Sequence, residues 1–112
     1  MRELASNDLG SLRIQRLTDD LGTVLELAGE LDLESAPELD RRLRELDGTT
    51  PGRLLIDLGG LEFMDSSGLA VLVRAQRSAQ SNGQPLALRP GPTQVQRLFE
   101  LTGMLQRFAF ED

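Results

Sequence analysis

The sequence predicts a single α/β domain, with a mixed but largely parallel central sheet of four to five strands and helices packed against it. Segments with the periodicity of strands alternate with segments that repeat apolar residues at helical spacing, and glycine, proline and aspartate separate them. The resulting order is strand, strand, helix, strand, helix, strand, helix, strand, which is typical of helices that connect parallel strands. The 112 residues have the size of one domain, and the predicted core extends from about residue 12 to about residue 110.

The first two predicted strands form a hairpin. In the segment SLRIQRL, apolar and polar residues alternate from Leu12 to Gln15, as in a half-buried strand. The segment TVLELAG at residues 23–29 is the second strand, and the turn-forming residues 18–22 connect the two. We therefore expect these strands to pair with each other.

The first helix is predicted to follow Ser35. Ser35 and Glu38 have the spacing of a capping box, in which the two residues satisfy each other's backbone N–H groups. Four apolar residues share one face of this helix, and three pairs of opposite charge lie four residues apart on the other. The apolar residues are Ala36, Leu39, Leu43 and Leu46, and the pairs are Glu38–Arg42, Asp40–Arg44 and Arg41–Glu45.

A buried strand and a second helix are predicted in the middle of the chain. The apolar run RLLIDL at residues 53–58 is typical of a strand that helices cover. Gly59 and Gly60 are predicted to turn the chain after this strand. The second helix repeats apolar residues from Leu69 onwards and ends at Asn82-Gly83, where glycine adopts the left-handed conformation at little cost.

The last part of the chain predicts a strand, a helix and a short final strand. The strand is PLALR at residues 85–89. The third helix begins with Pro92, turns Val95 and Phe99 inward, and closes at Gly103. The segment RFAF at residues 107–110 predicts the final strand.

The composition excludes several kinds of active site. Without histidine or cysteine the chain cannot form the Ser-His-Asp or Cys-His arrangements of nucleophilic catalysis, or a thiolate metal site. Without lysine it cannot form a GxxxxGK phosphate loop. We therefore expect no catalytic residues, no cofactor and no metal ion, and a binding or switching protein instead of an enzyme.

Charge and hydropathy restrict the location and the partners. The net charge is −6, which argues against nucleic acid or an anionic membrane as the main partner. No apolar run approaches the roughly 20 residues that cross a bilayer. The segment MRELASNDLG lacks the apolar core of a signal peptide. We therefore expect a cytoplasmic protein, as a monomer or a weak dimer.

The segment FMDSSGLAVLV at residues 63–73 contains the main candidate site. Asp65, Ser66, Ser67 and Gly68 lie at a predicted helix start, after a strand whose carboxyl end belongs to the edge where α/β sheets carry their sites. One interpretation is an N-cap, worth about 1 kcal/mol. The other is a phosphorylation site, because a phosphate at a helix N-terminus meets free N–H groups and the positive end of the helix dipole. Local sequence leaves both interpretations open.

Three segments of the chain resemble the STAS domain, specifically that of the bacterial anti-sigma factor antagonists, also called anti-anti-sigma factors. The segments are GELDLESAPEL at residues 29–39, LLIDLGGLEFMDSSGLAVLV at residues 54–73 and VQRLFELTGM at residues 95–104. The resemblance extends over nearly the whole chain, and in this context the sequence DSSG is a specific signal.

The resemblance implies a phosphorylation switch. Proteins of this family bind an anti-sigma factor that is also a serine kinase of the GHKL ATPase type, and this binding frees the sigma factor. Phosphorylation of a serine ends the binding, and a phosphatase restores it. By position the phosphoacceptor is Ser66, and Asp32, Asp65, Ser67 and Gly68 are the other partner-binding residues. Apart from the resemblance, Asp32 is equally well interpreted as a loop acid that caps or is solvated.

Two alternatives remain at this point. One is a constitutive STAS scaffold or a transporter-associated subunit, whose binding does not depend on Ser66. The other is a small hydrolase or nucleotide-processing enzyme that uses Asp32, Asp57 and Asp65. The second alternative lacks a nucleophile paired with a base and lacks a nucleotide-binding loop.

Overall fold

The computed structural model describes residues 11–46 and 50–111, and in these ranges the predicted order of strands and helices is confirmed. A short 3₁₀ helix at Leu105–Arg107 is the one addition to that order within the described ranges. The strands are β1 (Leu12–Asp19), β2 (Gly22–Leu31), β3 (Arg53–Met64), β4 (Leu86–Arg89) and β5 (Ala109–Phe110). The α-helices are α1 (Ala36–Leu46), α2 (Ser66–Ser81) and α3 (Thr93–Leu101).

The strands form one mixed sheet in the order β1-β2-β3-β4-β5. β1 pairs antiparallel with β2 as the predicted hairpin, and the remaining pairs are parallel. From β2 to β5 each new strand is added on the same side of the previous one. Right-handed crossovers in one direction place all three helices on the same face of the sheet.

The main core lies between the helices and this face. It contains buried residues from every α-helix, among them Leu39, Leu72 and Phe99, together with Leu27 and Ile56 of the central strands. A separate small cluster of Val24, Leu55 and Ala87 lies on the other face of the sheet, because these residues alternate along their strands with residues of the main core. The sheet therefore buries apolar side chains on both faces, but its large core lies on one.

The prediction that Gly59 and Gly60 turn the chain is wrong, because both residues lie within β3. The pairing with β2 is irregular there, with register shifts between Glu26 and Ala28 and again after Gly29. A Cβ atom on Gly60 would lie 2.7 Å from the backbone oxygen of Leu27. Glycine is therefore needed for the close approach of two strands and not for a turn. As a result β3 continues to Met64 and ends one residue before α2.

In α1 the two predicted faces are confirmed, but the capping box is not formed. The four apolar residues are buried, and the three predicted ion pairs are present at 2.6–3.7 Å. The Ser35 hydroxyl donates to the Glu30 carbonyl oxygen at 2.8 Å and accepts from the Asp32 N–H at 3.0 Å. The Glu38 carboxylate pairs with Arg41 at 2.6 Å. Ser35 thus closes the loop before α1, because a buried hydroxyl needs partners and this loop supplies them.

Aromatic packing attaches α3 to the end of the chain. The ring of Phe99 meets those of Phe108 and Phe110 edge to face, with centroids 5.6 and 5.4 Å apart. Phe99 is fully buried. This contact explains how a strand as short as β5 is held beside β4.

Polar contacts stabilise the β1–β2 turn, which lies at the end of the sheet opposite the carboxyl ends of β2 and β3. The Asp19 carboxylate accepts from the N–H groups of Leu21 and Gly22 at 2.9 and 3.0 Å. The N–H of Leu21 is the main reason that the pKa of Asp19 lies below its ordinary value of 3.8. The Arg53 guanidinium bridges Asp19 at 3.0 Å and Glu111 at 2.7 Å.

Candidate functional site

The helix α2 begins with a side-chain cap from Asp65. Asp65 has extended backbone angles, and its Oδ1 accepts from the N–H groups of Ser67 at 2.8 Å and Gly68 at 3.3 Å. This is the contact expected of an aspartate N-cap, since the first N–H groups of a helix have no partner within it. The capping interpretation of the DSSG segment is therefore confirmed for Asp65.

The same cap corrects one expectation about a phosphate at this helix start. The N–H groups of Ser67 and Gly68 are already bound by Asp65, so they are not free to receive an anion. A phosphate on Ser66 would also lie next to the carboxylate of Asp65. Its oxygens would therefore be repelled from the cap and directed outward from the helix terminus.

Ser66 is the first residue of α2, and its side chain is exposed. Within residues 11–46 and 50–111, its hydroxyl has no hydrogen-bond partner. Ser67 is half-buried and faces the groove between α1 and α2, beside Leu33 and Arg74. The two serines are thus in different environments, and Ser66 is the more accessible of the two.

Gly68 is buried beneath the helix start, where no side chain fits. A Cβ atom at this position would lie 2.5 Å from Cγ of Leu31 and 3.0 Å from Cγ of Met64. These residues are the last ones of β2 and β3. The glycine therefore lets the first turn of α2 lie directly on the ends of two strands, which positions Ser66 relative to the sheet.

Asp32 and Asp65 occupy equivalent positions at the carboxyl edge of the sheet. Leu31 and Met64 are paired in register, and each acid follows its strand directly. The Asp65 N–H donates to the Leu31 carbonyl oxygen at 3.1 Å. Asp32 also organises its own loop, because its Oδ1 accepts from the N–H groups of Glu34 and Ser35 at 3.1 and 3.0 Å. The cap interpretation of Asp32 is confirmed, and the acid lies at the same edge as Ser66.

Asp57 does not join the other two acids. It lies in the middle of β3, where it pairs with Arg89 at 2.9 Å and accepts from the Gly59 N–H at 2.8 Å. The rise of a strand from Asp57 to Asp65 is roughly 25 Å. The three acids proposed for a hydrolase therefore do not converge, and the described residues contain no group of three or more acids that could hold a metal ion.

Two exposed apolar side chains flank the site, and the sequence patterns did not single them out. Leu33 follows Asp32 and is 76% exposed, and Phe63 precedes Met64 and is 48% exposed. Large apolar side chains exposed beside polar ones are typical of surfaces that contact other proteins. The signal available in the sequence was an aromatic residue next to the polar DSSG segment.

The strand order determines whether this edge forms the crevice in which open α/β sheets hold ligands. Open α/β sheets form a crevice where the strand order reverses direction. Among the described strands the order β2-β3-β4-β5 has no such reversal. In these ranges, moreover, no helix is both long enough and apolar enough to cross a membrane. The fold and the site together define a single-domain α/β protein with an exposed, capped helix start at the carboxyl edge of its sheet.

The chain belongs to the STAS domain family, because the family model described as "Mlab, STAS domain" matches residues 14–108. An anti-sigma-B factor antagonist of Staphylococcus aureus is 31% identical over 96 residues, which are 84% of this chain and 87% of that protein. The family inferred from the sequence segments is thereby confirmed.

Solved structures give the same result for the fold. An anti-sigma factor antagonist from Mycobacterium paratuberculosis has a TM-score of 0.82 at 25% identity, covering 90% of this chain and 86% of that one. The Bacillus cell fate determinant SpoIIAA in its phosphorylated form has a TM-score of 0.69 at 18% identity, with coverages of 89% and 92%. The second likeness concerns the fold alone.

Proposed function

We propose that this protein is an anti-sigma factor antagonist controlled by phosphorylation of Ser66. The unphosphorylated form binds an anti-sigma factor that is also a serine kinase of the GHKL ATPase type, and this binding releases a sigma factor. Phosphorylation of Ser66 ends the binding, and a serine phosphatase restores it. Because sigma factors act with RNA polymerase, the proposed location is the cytoplasm.

The observation that carries the proposal is the environment of Ser66. Its hydroxyl is exposed and without a partner in the described part of the chain, and Ser66 is the first residue of a capped helix. A kinase can therefore approach it without unfolding the protein. The relatives named as anti-sigma factor antagonists support the partner class, and SpoIIAA supports the view that a phosphate is compatible with this fold.

The physical basis of the switch is charge at a contact surface. Phosphorylation adds roughly 1.5 to 2 negative charges. Asp32 and Asp65 are already at this edge, and Leu33 and Phe63 offer apolar contacts beside them. A partner that covers Ser66 would have to desolvate the new charge and tolerate its repulsion, which costs more than burying a hydroxyl.

Phosphorylation is tested by intact mass spectrometry. The protein is incubated with Mg-ATP and each purified anti-sigma factor kinase encoded in the same genome. The mass should rise by one phosphate with one of these kinases, and the rise should vanish in Ser66→Ala but persist in Ser67→Ala. A shift that survives in Ser66→Ala would assign the phosphate to another residue.

Binding is tested with two variants, each of which replaces one serine of α2 with aspartate. Ser66→Asp should weaken binding to the kinase that phosphorylates the protein, whereas Ser81→Asp, at the exposed far end of α2, should not. Equal affinities for both variants would contradict the charge mechanism. If no kinase acts and the protein instead co-purifies in a stable complex whose assembly is indifferent to Ser66→Asp, the second candidate applies, a constitutive scaffold or transporter-associated STAS subunit. The matching family model is described as "Mlab, STAS domain" and not as an anti-sigma factor antagonist, and this description favours the second candidate.

A further inference from the structure

A groove begins at Ser66 and follows one side of α2. It has a volume of about 390 Å³, and it lies between α2 and the segment after α3. From Ser66 to Arg77 the helix rises roughly 16 Å. We call it the arginine groove; it is formed by Ser66, Leu69, Val73 and Arg77 of α2 together with Met104 and Arg107.

The arginine groove has an apolar floor and a basic rim. Leu69 is buried, and Val73 and Met104 are half-buried, so their side chains are partly available to a partner. Arg74, Arg77 and Arg107 line the same groove. Among the described residues that line it there is no aspartate or glutamate, although the chain as a whole has a net charge of −6. The groove is thus positive on an acidic protein.

Two of the three arginines on this rim have no acidic neighbour among the described residues. Arg77 and Arg107 are exposed, and in the described ranges neither has a carboxylate within ion-pair distance. Arg74 has one long contact of 3.7 Å, to Asp40. In contrast, Arg53 and Arg89 elsewhere in the fold have carboxylate partners at 2.7–3.0 Å. Arg77 and Arg107 therefore offer positive charge to a partner on the two sides of the groove.

A partner segment that matches this groove is amphipathic and acidic. Its apolar side chains would cover Leu69, Val73 and Met104, and its carboxylates would meet the arginines. Nucleic acid fits less well, because the surrounding protein is acidic and no aromatic side chain lines the groove for base stacking. We propose that the arginine groove binds an acidic, amphipathic segment of the anti-sigma factor, and this inference rests on the proposed function.

The groove also gives the phosphate on Ser66 a second role. Arg74 and Arg77 line the same groove, about two and three helical turns from Ser66. At these distances their charges act on the phosphate through the electrostatic field and not through hydrogen bonds. The phosphate would therefore repel the acidic segment and compete with it for the positive field of the arginines.

The docking role is tested with the anti-sigma factor kinase that binds the wild-type protein. Affinity is measured by titration calorimetry for Arg77→Glu, Arg107→Glu and the double variant, with Arg16→Glu on strand β1 as the matched control. The double variant should bind about tenfold more weakly, and the control should change less than about twofold. Wild-type binding should also weaken with added salt more steeply than binding of the double variant.

The outcomes separate this inference from the proposed function. If the kinase binds the wild type and the double variant behaves like Arg16→Glu, the groove is not the docking site, while the proposed function survives. If no anti-sigma factor kinase binds the wild type, both are wrong. If the double variant instead dissolves a dimer of the free protein, the occupant is a second copy of this chain and the proposal is overturned.

The role of the phosphate is tested without a partner. Phosphoserine is incorporated at position 66, and the second pKa of the phosphate, ordinarily about 6, is measured by ³¹P NMR. Nearby arginines favour the dianion, so this pKa should rise in the Arg74→Gln/Arg77→Gln variant and stay unchanged in Arg16→Gln. Identical titrations in all three proteins would overturn the competition between the phosphate and the acidic segment.

Discussion

Replacing Gly68 with alanine tests how tightly the helix start is packed on the sheet. The added Cβ would lie 2.5 Å from Cγ and 2.9 Å from Cδ2 of Leu31, and 3.0 Å from Cγ of Met64. Leu31 is fully buried, so its side chain cannot move into solvent to relieve these contacts. The substitution therefore forces α2 or the end of β2 to shift.

Two opposing effects decide the change in unfolding free energy. Alanine has a higher helix propensity than glycine, which favours the variant by about 1 kcal/mol. Overpacking a well-packed core costs about 1–3 kcal/mol. The 2.5 Å contact involves the branch atom of a buried side chain, so the cost lies in the upper half of that range. We expect Gly68→Ala to destabilise the protein by roughly 1–2 kcal/mol.

The same substitution should have the opposite sign in a Leu31→Ala background. That change removes both Leu31 atoms that the new methyl group meets, and of its three nearest contacts the one with Met64 remains. Leu31→Ala itself costs about 2–5 kcal/mol, which a domain with a stability of about 5–15 kcal/mol can tolerate. In this background Gly68→Ala should stabilise the protein by up to about 1 kcal/mol, because the helix propensity is then the larger effect.

The four proteins of this double-mutant cycle are compared by urea denaturation followed by circular dichroism. The free energies of unfolding come from linear extrapolation, and equal m-values show that the cooperativity is unchanged. A stabilising effect of Gly68→Ala in the wild type, or the same effect in both backgrounds, would refute the steric argument.

Three further predictions concern the loops at the two edges of the sheet. Asp65→Ala should lower the unfolding free energy by about 1 kcal/mol in the same urea assay, since it removes the cap of α2; no loss would contradict the cap. Ser35→Ala should lower the unfolding free energy by about 1–3 kcal/mol, because it leaves buried polar groups unpaired. Glu38→Ala should lower it by less than about 1 kcal/mol, and equal losses in the two variants would favour a capping box. The Asp19 carboxyl should titrate below 3.8 by ¹³C NMR, because the Leu21 N–H lowers its pKa in the folded state. The carboxylate of Asp19 therefore stabilises the fold above the unfolded-state pKa, and this contribution is lost as the pH falls through the folded-state pKa. A titration midpoint at or above 3.8 would refute the prediction.

The order of the elements and their buried faces were predictable because they depend on local periodicity. Helix α1 shows this directly: Leu39, Leu43 and Leu46 are buried as their spacing indicates. The hairpin and the final strand were predictable for the same reason. These features arise from residues that are close in sequence, where the geometry of strands and helices relates spacing to direction.

Of the two wrong structural predictions, one involved a partner distant in the sequence and the other an ambiguous local pattern. Gly59 and Gly60 have the composition of a turn, but both lie within β3, and at Gly60 the neighbouring strand β2 approaches so closely that only glycine fits. Ser35 and Glu38 have the spacing of a capping box, but the carbonyl of Glu30 and the N–H of Asp32 bind the hydroxyl first. Sequence spacing alone does not show which of several available partners a polar group takes.

The class of fold, the family and the candidate serine are evident from the order of residues along the chain, because the DSSG segment and its helix are contiguous. The folded structure was needed to show that the Asp65 carboxylate binds the N–H groups of Ser67 and Gly68, which the sequence left as free donors for a phosphate. Only the tertiary structure also brought Arg107 beside Arg77, across the groove that starts at Ser66. Residues thirty positions apart meet because the segment after α3 lies against α2, where the Gln76 side-chain amide donates to the Arg107 carbonyl oxygen, and no local pattern contains that information.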